Sequence, residues 1–303
     1  MGRGAKPPPP PSAVRRRLLG QALIDALLQV SGPLARPAAS RLERLWLEAW
    51  SRPGVSALAG RIADLRLPRP VLTRLIEGWI KAYHVDTAAM AEPVGAYPTL
   101  NAFFTRRLRT GLRPIEPDPA LMPSPADSVL TAFGPIDARG RIPEIKGRTY
   151  GVAELLAGAM DAAPFTGGSF AVFYLSPRDY HRVHSPVSGR LVAATPIGGR
   201  TYPVNARGVR VVEGLFATNK RVVFDLDGDG FGRVALVMVG ATNVGRITVS
   251  APPGPIARGD ELGVFNLGST VVMLFPASHP VALAGVHEGE LVQVGQAVAR
   301  VIG

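Results

Sequence analysis

From about residue 121 onward, the chain consists of short runs of β-branched and apolar residues separated by glycine and proline turns. Such runs predict strands, and Asp227-Gly228-Asp229-Gly230 between two of them predicts a hairpin. The runs cover residues 170–175, 190–194, 209–212, 221–226, 233–239, 246–250 and 270–274. This pattern limits the second half of the chain to a β-rich domain, either a sandwich or a partly closed barrel.

The first part of the chain is different. Residues 1–14 are rich in proline and predict an extended, disordered tail. Apolar residues at helical spacing then predict helices over residues 15–31, 38–51, 55–66 and 70–83. Later helical patterns are limited to residues 100–109 and 152–160. We therefore expect an α+β chain, with amphipathic helices over residues 15–90 and a β-rich domain over residues 91–303, whose short strands form a barrel-sandwich-like arrangement.

Positive charge is concentrated near the N-terminus. Residues 1–90 hold 14 Lys or Arg and 6 Asp or Glu, a balance of +8 within a total of +11 for the chain. Such an excess indicates an anionic partner, either a nucleic acid or a membrane surface. Trp46, Trp50 and Trp79 lie on or beside the apolar faces of these basic helices, which suits a membrane interface. A soluble helical bundle packed on the main domain fits the same pattern equally well.

Several function classes are excluded or lack support. The chain has no cysteine, which rules out disulfides, thiolate metal sites and cysteine nucleophiles. It has no Gly-x-Gly-x-x-Gly sequence and no Walker loop, so nothing in the sequence supports nucleotide binding. No apolar run approaches the roughly 18–20 residues of a transmembrane helix, and the opening lacks the pattern of a signal peptide. Because it is rich in arginine and poor in acidic residues, the opening also resembles an organellar transit peptide, which is a further alternative.

Gly268 and Ser269 stand directly before the apolar run over residues 270–274. Glycine leaves its carbonyl open to attack because it has no Cβ, and the serine hydroxyl is a nucleophile for that carbonyl. The pair is therefore a candidate self-cleavage site at the start of a buried strand. Gly and Ser are also ordinary turn residues, so a simple turn before a strand explains the same two residues.

Three further residues are candidates for acid–base chemistry. His181 and His184 have the His-x-x-His spacing that can chelate zinc, but no cysteine or His/Glu cluster supplies the remaining ligands. Histidine is also the commonest general base near neutral pH. Asp127 follows a rigid Pro-x-Pro turn, where it either caps its own backbone or orients a histidine. A relay of Asp127, His184 and Ser269 is allowed, because such triads are defined by geometry and not by chain order.

Seven polar and glycine-containing segments occur in a fixed order along the chain. They are Ser124-Pro125-Ala126-Asp127, Lys146-Gly147-Arg148-Thr149-Tyr150, Leu175-Ser176-Pro177-Arg178-Asp179-Tyr180-His181-Arg182-Val183-His184, Tyr202-Pro203-Val204-Asn205, Phe216-Ala217-Thr218-Asn219, Val239-Gly240-Ala241-Thr242 and Leu267-Gly268-Ser269-Thr270. Together they resemble the ordered blocks of the phosphatidylserine decarboxylase family, whose membrane enzymes depend on a pyruvoyl group. The resemblance covers roughly residues 95–303 and extends weakly upstream. Seven blocks in the right order are a specific signal, whereas a lone Gly-Ser-Thr is not.

The resemblance implies a proenzyme that cuts itself between Gly268 and Ser269. His184, oriented by Asp127, would deprotonate Ser269, whose oxygen attacks the Gly268 carbonyl; elimination then leaves a pyruvoyl cofactor at position 269. The implied products are a β chain of residues 1–268 and an α chain of residues 269–303. The pyruvoyl carbonyl would form a Schiff base with the substrate amine and accept electrons as CO2 leaves. His181 is the implied proton donor and substrate-recognition residue as phosphatidylserine becomes phosphatidylethanolamine.

The resemblance also implies the partners of the chain. Phosphatidylserine is an anionic lipid held in a bilayer, so a negatively charged membrane accounts for the N-terminal charge and favours membrane helices over a soluble bundle. We expect a peripheral protein on the cytoplasmic side of the cell membrane, without a metal or a nucleic-acid partner. The α and β chains are expected to stay together in a homo-oligomer, a dimer of processed protomers.

Two rival functions use the same residues. Residues 184–189 and 285–302 look like half-motifs of a biotinyl or lipoyl carrier module, but no lysine stands in the Met-Lys or Asp-Lys setting that such a module modifies. The second rival is a hydrolase that uses Asp127, His184 and Ser269 for acyl transfer, although the chain lacks a Gly-x-Ser-x-Gly elbow. The hydrolase predicts one intact chain, whereas the self-cleaving enzyme predicts two.

Overall fold

The structure, a computed structural model, describes residues 51, 53–143, 149–204, 212–241, 246–266 and 269–302. The proline-rich tail of residues 1–14 and the helices predicted over residues 15–31 and 38–51 lie outside the described residues, apart from Ser51. Most of the strand predicted over residues 209–212 also lies outside them.

Five α-helices lie in the described part of the chain. They are α1 (Pro53–Ala63), α2 (Arg69–Tyr83), α3 (Leu100–Phe104), α4 (Val152–Leu156) and α5 (Leu215–Thr218). The first two correspond to the helices predicted over residues 55–66 and 70–83. Pro70 stands in the first turn of α2, where its missing N–H leaves no helical hydrogen bond unmade.

The helices predicted over residues 100–109 and 152–160 are shorter in the structure. α3 stops at Phe104, and the chain then extends to an isolated β-bridge at Leu108. α4 stops because Ala157 and Gly158 both take positive φ angles, of 47° and 77°. A left-handed residue followed by glycine is a common helix end, so the apolar spacing beyond it does not continue the helix.

Sixteen strands follow the helices or alternate with them, and every predicted run inside the described ranges falls on one of them. They are β1 (Leu121–Pro123), β2 (Ser128–Pro135), β3 (Arg141–Pro143), β4 (Thr149–Gly151), β5 (Ser169–Leu175), β6 (Arg182–His184), β7 (Gly189–Ile197), β8 (Arg221–Gly228), β9 (Gly232–Gly240), β10 (Arg246–Val249), β11 (Gly254–Ile256), β12 (Glu261–Asn266), β13 (Ser269–Phe275), β14 (Val281–Leu283), β15 (Leu291–Val292) and β16 (Ala297–Val301). β8 and β9 form the predicted hairpin. The β-rich domain is thereby confirmed, and its barrel-sandwich-like arrangement stays a prediction.

The largest sheet has eight strands in the order β11-β7-β8-β9-β13-β5-β2-β15, and its neighbouring strands are antiparallel. Three smaller sheets have the orders β1-β16-β14, β10-β12-β6 and β3-β4. β13 lies inside the large sheet, where Ser269 is opposite Leu175 of β5 and Gly240 of β9. Both neighbours of β13 are distant in sequence, so tertiary pairing sets its position.

Both faces of β13 are buried. Successive side chains of a strand point to opposite faces of the sheet. Val271 and Met273 belong to one apolar core, and Val272 and Leu274 belong to a second one. All four side chains are 0% exposed. A strand that is covered on both faces has a continuous apolar sequence, which is the pattern found at residues 270–274.

A third and smaller core packs α2 against α3 and the segment between them. Leu72 and Ile76 of α2 pack with Phe103 of α3 in this core. On the same helix, Trp79 donates a hydrogen bond from Nε1 to the Pro177 carbonyl, 3.3 Å away. This contact ties α2 to the loop that follows β5.

We expect Met273→Ala to destabilise the protein by about 2–5 kcal/mol, because it opens a cavity in the middle of the large sheet. The measurement is the free energy of unfolding in urea. Val249→Ala is the control, since Val249 is 39% exposed on the edge strand β10. The control should change the free energy by less than about 1 kcal/mol. Equal losses in the two variants would show that β13 is not the core strand described here.

Candidate active site

Three parts of the chain meet at the start of β13. β5 ends at Leu175, opposite Ser269, and the loop after β5 carries His181. β12 ends three residues before Ser269, and its Phe265 N–H donates to the His181 carbonyl at 3.0 Å. Gly268 and the side chain of Ser269 lie outside the described structure, but the backbone of Ser269 is described. The fold thus brings the predicted cleavage site and the histidine loop to the same end of the sheet.

His181 is fully buried, at 0% exposed. Its Nδ1 lies 2.9 Å from the Asp179 carbonyl. A carbonyl oxygen only accepts, so Nδ1 carries the hydrogen and Nε2 keeps a free lone pair. The ring packs against Phe104 with centroids 4.0 Å apart, and no atom of the described residues forms a hydrogen bond with Nε2. Burial and the nearby Arg106 charge lower the pKa of His181 to about 3, so the ring is neutral.

His184 of β6 is held in a similar way. Its Nδ1 lies 2.7 Å from the Gly259 carbonyl, so this nitrogen carries the hydrogen. Its Nε2 lies 3.3 Å from the Tyr180 hydroxyl, and the two rings stack. Burial lowers the pKa of His184, while the Gly259 carbonyl and the charges of Glu261 and Asp127 act in the opposite direction. His184 is therefore a neutral imidazole near pH 7, with Nε2 as its basic atom.

Asp127 does not make the hydrogen bond to His184 that the predicted relay requires. Its carboxylate accepts from Arg113 Nε and Nη2, at 2.8 and 2.6 Å, and from the Val294 N–H at 2.9 Å. These donors occupy the carboxylate, and the carbonyl of Gly259 orients His184 in its place. Asp127 is still close enough for its charge to raise the pKa of His184. The role of Asp127 in the relay stays a prediction, in which its negative charge acts on His184 without a hydrogen bond between the two side chains.

Sequence reasoning missed the residues that hold the two histidines. The Asp179 carboxylate accepts from the N–H and the hydroxyl of Ser176, both at 2.7 Å, and burial raises the pKa of Asp179 to about 6. Burial also raises the pKa of Tyr180 to about 12. Both lie in residues 175–184, where an unusual density of polar side chains follows a buried strand. Gly259 acts through its carbonyl, which leaves no signal of residue type in the sequence.

The residues at the start of β13 fit a pyruvoyl group made from Ser269. Among the described residues, Thr270 Oγ1 and His181 Nε2 are buried atoms without a hydrogen-bond partner. Buried polar atoms are normally paired, so an unpaired hydroxyl next to Ser269 and an unpaired nitrogen on the histidine loop leave room for a further polar group. Such a group would find a donor on Thr270 and an acceptor on His181. Within the described ranges, no three His, Asp or Glu side chains lie together as a metal site.

Arg182 and Glu261 form an ion pair beside His184, with Arg182 Nη1 and Glu261 Oε2 2.7 Å apart. The Glu261 charge raises the pKa of His184, and the Arg182 charge lowers it. We therefore expect Glu261→Gln to lower this pKa further and Arg182→Gln to raise it. Titration of the His184 ring by NMR measures both shifts. Arg139→Gln, on an exposed turn, is the control, and shifts of equal sign in the first two variants would contradict the geometry.

Comparisons with known proteins identify the family of the chain. The family described as phosphatidylserine decarboxylase matches residues 100–300. A phosphatidylserine decarboxylase proenzyme of Brevibacillus brevis is 39% identical over 243 residues, 74% of this chain and 86% of the relative. The proenzyme of Pseudomonas fluorescens is 42% identical over 269 residues, 81% of this chain and 93% of the relative. That of Acidovorax ebreus is 40% identical over 270 residues, 82% and 94% of the two chains. The chain belongs to the phosphatidylserine decarboxylase family.

Proposed function

We propose that the chain decarboxylates phosphatidylserine to phosphatidylethanolamine with a pyruvoyl group that it makes from its own Ser269. The family match and the proenzyme names of the relatives support this function. The observation that carries it is the pair of neutral histidines, His181 on the loop after β5 and His184 on β6. In each of them a backbone carbonyl binds Nδ1, which leaves Nε2 as the basic atom.

In the processing reaction, His184 Nε2 takes the proton of the Ser269 hydroxyl. The Ser269 oxygen attacks the Gly268 carbonyl carbon, the C–N bond breaks, and the peptide becomes an ester. Elimination then breaks the Cβ–O bond of Ser269 and leaves a carboxylate on Gly268. Water finally displaces the former Ser269 nitrogen as ammonia. The charge of Asp127 supports the first step, because it stabilises the imidazolium that forms on His184.

The two products are held together by the sheet. The α chain of residues 269–303 contains β13 to β16, and three of these strands pair with strands of the β chain: β13 with β5 and β9, β15 with β2, and β16 with β1. The hydrogen bond from the Val294 N–H to Asp127 adds a contact between the two products. We therefore propose that the α chain stays bound after cleavage.

In the decarboxylation reaction, the pyruvoyl group supplies a carbonyl that serves as an electron sink. His181 Nε2, neutral and without a partner, takes a proton from the substrate ammonium and returns it to the carbon that has lost CO2. His181 is the implied proton donor, but its neutral ring carries hydrogen only on Nδ1. Its Nε2 must therefore be protonated first, and the substrate ammonium supplies that proton. Burial of His181 keeps water from that carbon.

Three variants separate the two reactions. Ser269→Ala lacks the hydroxyl that attacks and should give one uncleaved, inactive chain. His184→Ala lacks the base and should block cleavage. His181→Ala should cleave normally and lose decarboxylation by roughly 10²-fold or more, as expected for a general acid–base residue. Denaturing electrophoresis with the intact mass of the small fragment measures cleavage, and CO2 release from phosphatidylserine measures activity.

His287→Ala is the control for these variants, since the His287 side chain is 82% exposed, and it should leave both reactions unchanged. Cleavage of the Ser269→Ala chain at this bond would contradict the processing proposal. Exchanged phenotypes of His181→Ala and His184→Ala would contradict the roles of the two histidines. An unaltered protein that stays in one piece and hydrolyses esters would favour the hydrolase.

We also propose that α1 and α2 bind the surface of an anionic membrane, as part of the region predicted over residues 15–90. Large apolar side chains on and between these helices are 41–58% exposed: Leu58, Ile62, Leu65, Val71, Leu75 and Tyr83. Five exposed basic residues accompany them, Arg61, Arg66, Arg69, Arg74 and Lys81, against the acidic Asp64 and Glu77. Such basic side chains contribute about 1 kcal/mol each near anionic lipid. The apolar side chains would enter the headgroup layer.

None of the helices in the described segments has the length and hydropathy needed to cross a membrane. The proposed location is the cytoplasmic side of the cell membrane, with the protein bound peripherally. A dimer of processed protomers stays a prediction.

The combined change Ile62→Glu and Leu75→Glu should weaken binding to vesicles of phosphatidylserine and phosphatidylcholine by at least about tenfold, because it removes apolar contacts and adds negative charge. Cosedimentation with these vesicles measures the binding. Ile302→Glu is the control, since Ile302 is similarly exposed, at 45%, but lies outside the helices. Binding of the unaltered protein should also fall as NaCl is raised. Salt-independent binding, or an equal loss in the control, would contradict the membrane proposal.

A further inference from the structure

Two arginines in the described part of the chain are buried, Arg221 at 3% and Arg106 at 4% exposed, and their surroundings differ. Arg221 uses all three nitrogens of its guanidinium and donates to four backbone carbonyls at 2.5–2.9 Å. Arg106 uses Nη2 alone, which donates to the carbonyls of Arg178 at 2.6 Å and Asp179 at 3.3 Å. Its Nε and Nη1 have no hydrogen-bond partner within the described ranges. Arg221 is thus fully employed in holding the fold, whereas Arg106 is not.

Arg106 has no direct ion pair with any carboxylate of the described residues. Burial lowers its pKa, and the charges of Tyr97, Asp179, Asp127 and Asp86, which lie farther away, only partly oppose this shift. A buried charge without a partner is strongly unfavourable, and unpaired donors add to the penalty. The guanidinium lies over the Phe103 ring, 5.4 Å from its centroid, which only partly offsets the lost hydration. An anion that binds here would supply both a negative charge and hydrogen-bond acceptors for the unpaired donors.

Arg106 lies beside the proposed catalytic histidine. The Asp179 carbonyl that accepts from Arg106 Nη2 also accepts from His181 Nδ1. The positive charge is close enough to help lower the pKa of His181. In the part of the chain that the structure describes, the buried polar atoms without a hydrogen-bond partner include Nε and Nη1 of Arg106, Oγ1 of Thr270 and Nε2 of His181. This set matches a ligand that carries an anion and an ammonium group.

We propose that Arg106 binds the phosphodiester group of phosphatidylserine and thereby places the substrate amine beside His181. This inference rests on the proposed function, which supplies the substrate. Arginine suits this role because it stays charged and its N–H groups match phosphate oxygens.

The phosphate is favoured over the carboxylate of the substrate by the course of the reaction. The carboxylate loses its charge as CO2 leaves, so a cation paired with it would stabilise the ground state more than the transition state and slow the reaction. The phosphate keeps its charge throughout. Contact with Arg106 therefore contributes equally to substrate, transition state and product, and its loss should appear in KM and not in kcat.

The test compares Arg106→Gln with the unaltered, processed enzyme, using short-chain phosphatidylserine and phosphatidylethanolamine below their micelle concentrations. Monomeric lipids keep attraction to a membrane surface out of the measurement. Phosphatidylethanolamine carries the phosphate but lacks the carboxylate, so it isolates the proposed contact. We expect the KM for phosphatidylserine to rise at least tenfold, with kcat within about threefold. The inhibition constant and the calorimetric Kd of phosphatidylethanolamine should weaken by the same factor as KM.

Arg221→Lys is the matched control, and it should lower the melting temperature while KM and the inhibition constant stay unchanged. A higher KM with unchanged binding of phosphatidylethanolamine would assign Arg106 to the carboxylate and overturn the inference. Unchanged KM and Kd would also overturn it. If Arg106→Gln is not processed, Arg106→Lys takes its place in the same measurements; failure of both to process would make Arg106 a structural residue. An unaltered protein that does not decarboxylate phosphatidylserine contradicts the proposed function itself.

Discussion

The burial and pairing of β13 are the constraint on which the rest of the structure depends. The strand pairs on both edges, with β9 and β5, and both of its faces lie in apolar cores. Ser269 is its first residue, so a break in the chain just before it leaves the pairing of residues 270–274 with both neighbouring strands in place. At this point the pairing of β13 in the sheet, and not the peptide bond, holds the two parts of the chain together. A self-cleaving protein requires such a point, because each product alone would expose a large apolar surface.

His181 and His184 are held in the same way. A backbone carbonyl, that of Asp179 for His181 and that of Gly259 for His184, accepts from Nδ1 and fixes the tautomer. Burial lowers the pKa of both rings, so each presents a neutral Nε2. The environments differ in the partner of that atom, which is the Tyr180 hydroxyl for His184 and none for His181. One geometry can therefore support two proton transfers at different stages.

The strands could be predicted from sequence because a buried strand has a continuous apolar run, as residues 270–274 do. Asp127, His181 and His184 stood out because their residue types carry acid–base chemistry. The orientation of His184 could not be predicted, because it depends on the carbonyl of Gly259 in the loop between β11 and β12. Every residue has a carbonyl, so the residue type gives no sign of this role. The carboxylate of Asp127 accepts hydrogen bonds from Arg113, and spacing along the sequence does not reveal this pairing.

Positive charge occurs in two settings in this molecule, on the exposed helices α1 and α2 and at the buried Arg106, and the two settings differ in how strongly salt screens the charge. The exposed arginines of α1 and α2 face water, where salt screens them, so they suit attraction of the whole protein to an anionic surface. Arg106 is buried, where screening is weak, so it suits recognition of one anionic group. α2 links the two settings, because its Trp79 donates a hydrogen bond to the Pro177 carbonyl of the loop that carries His181. The helix proposed to lie on the lipid is thus in direct contact with the loop proposed to act on it.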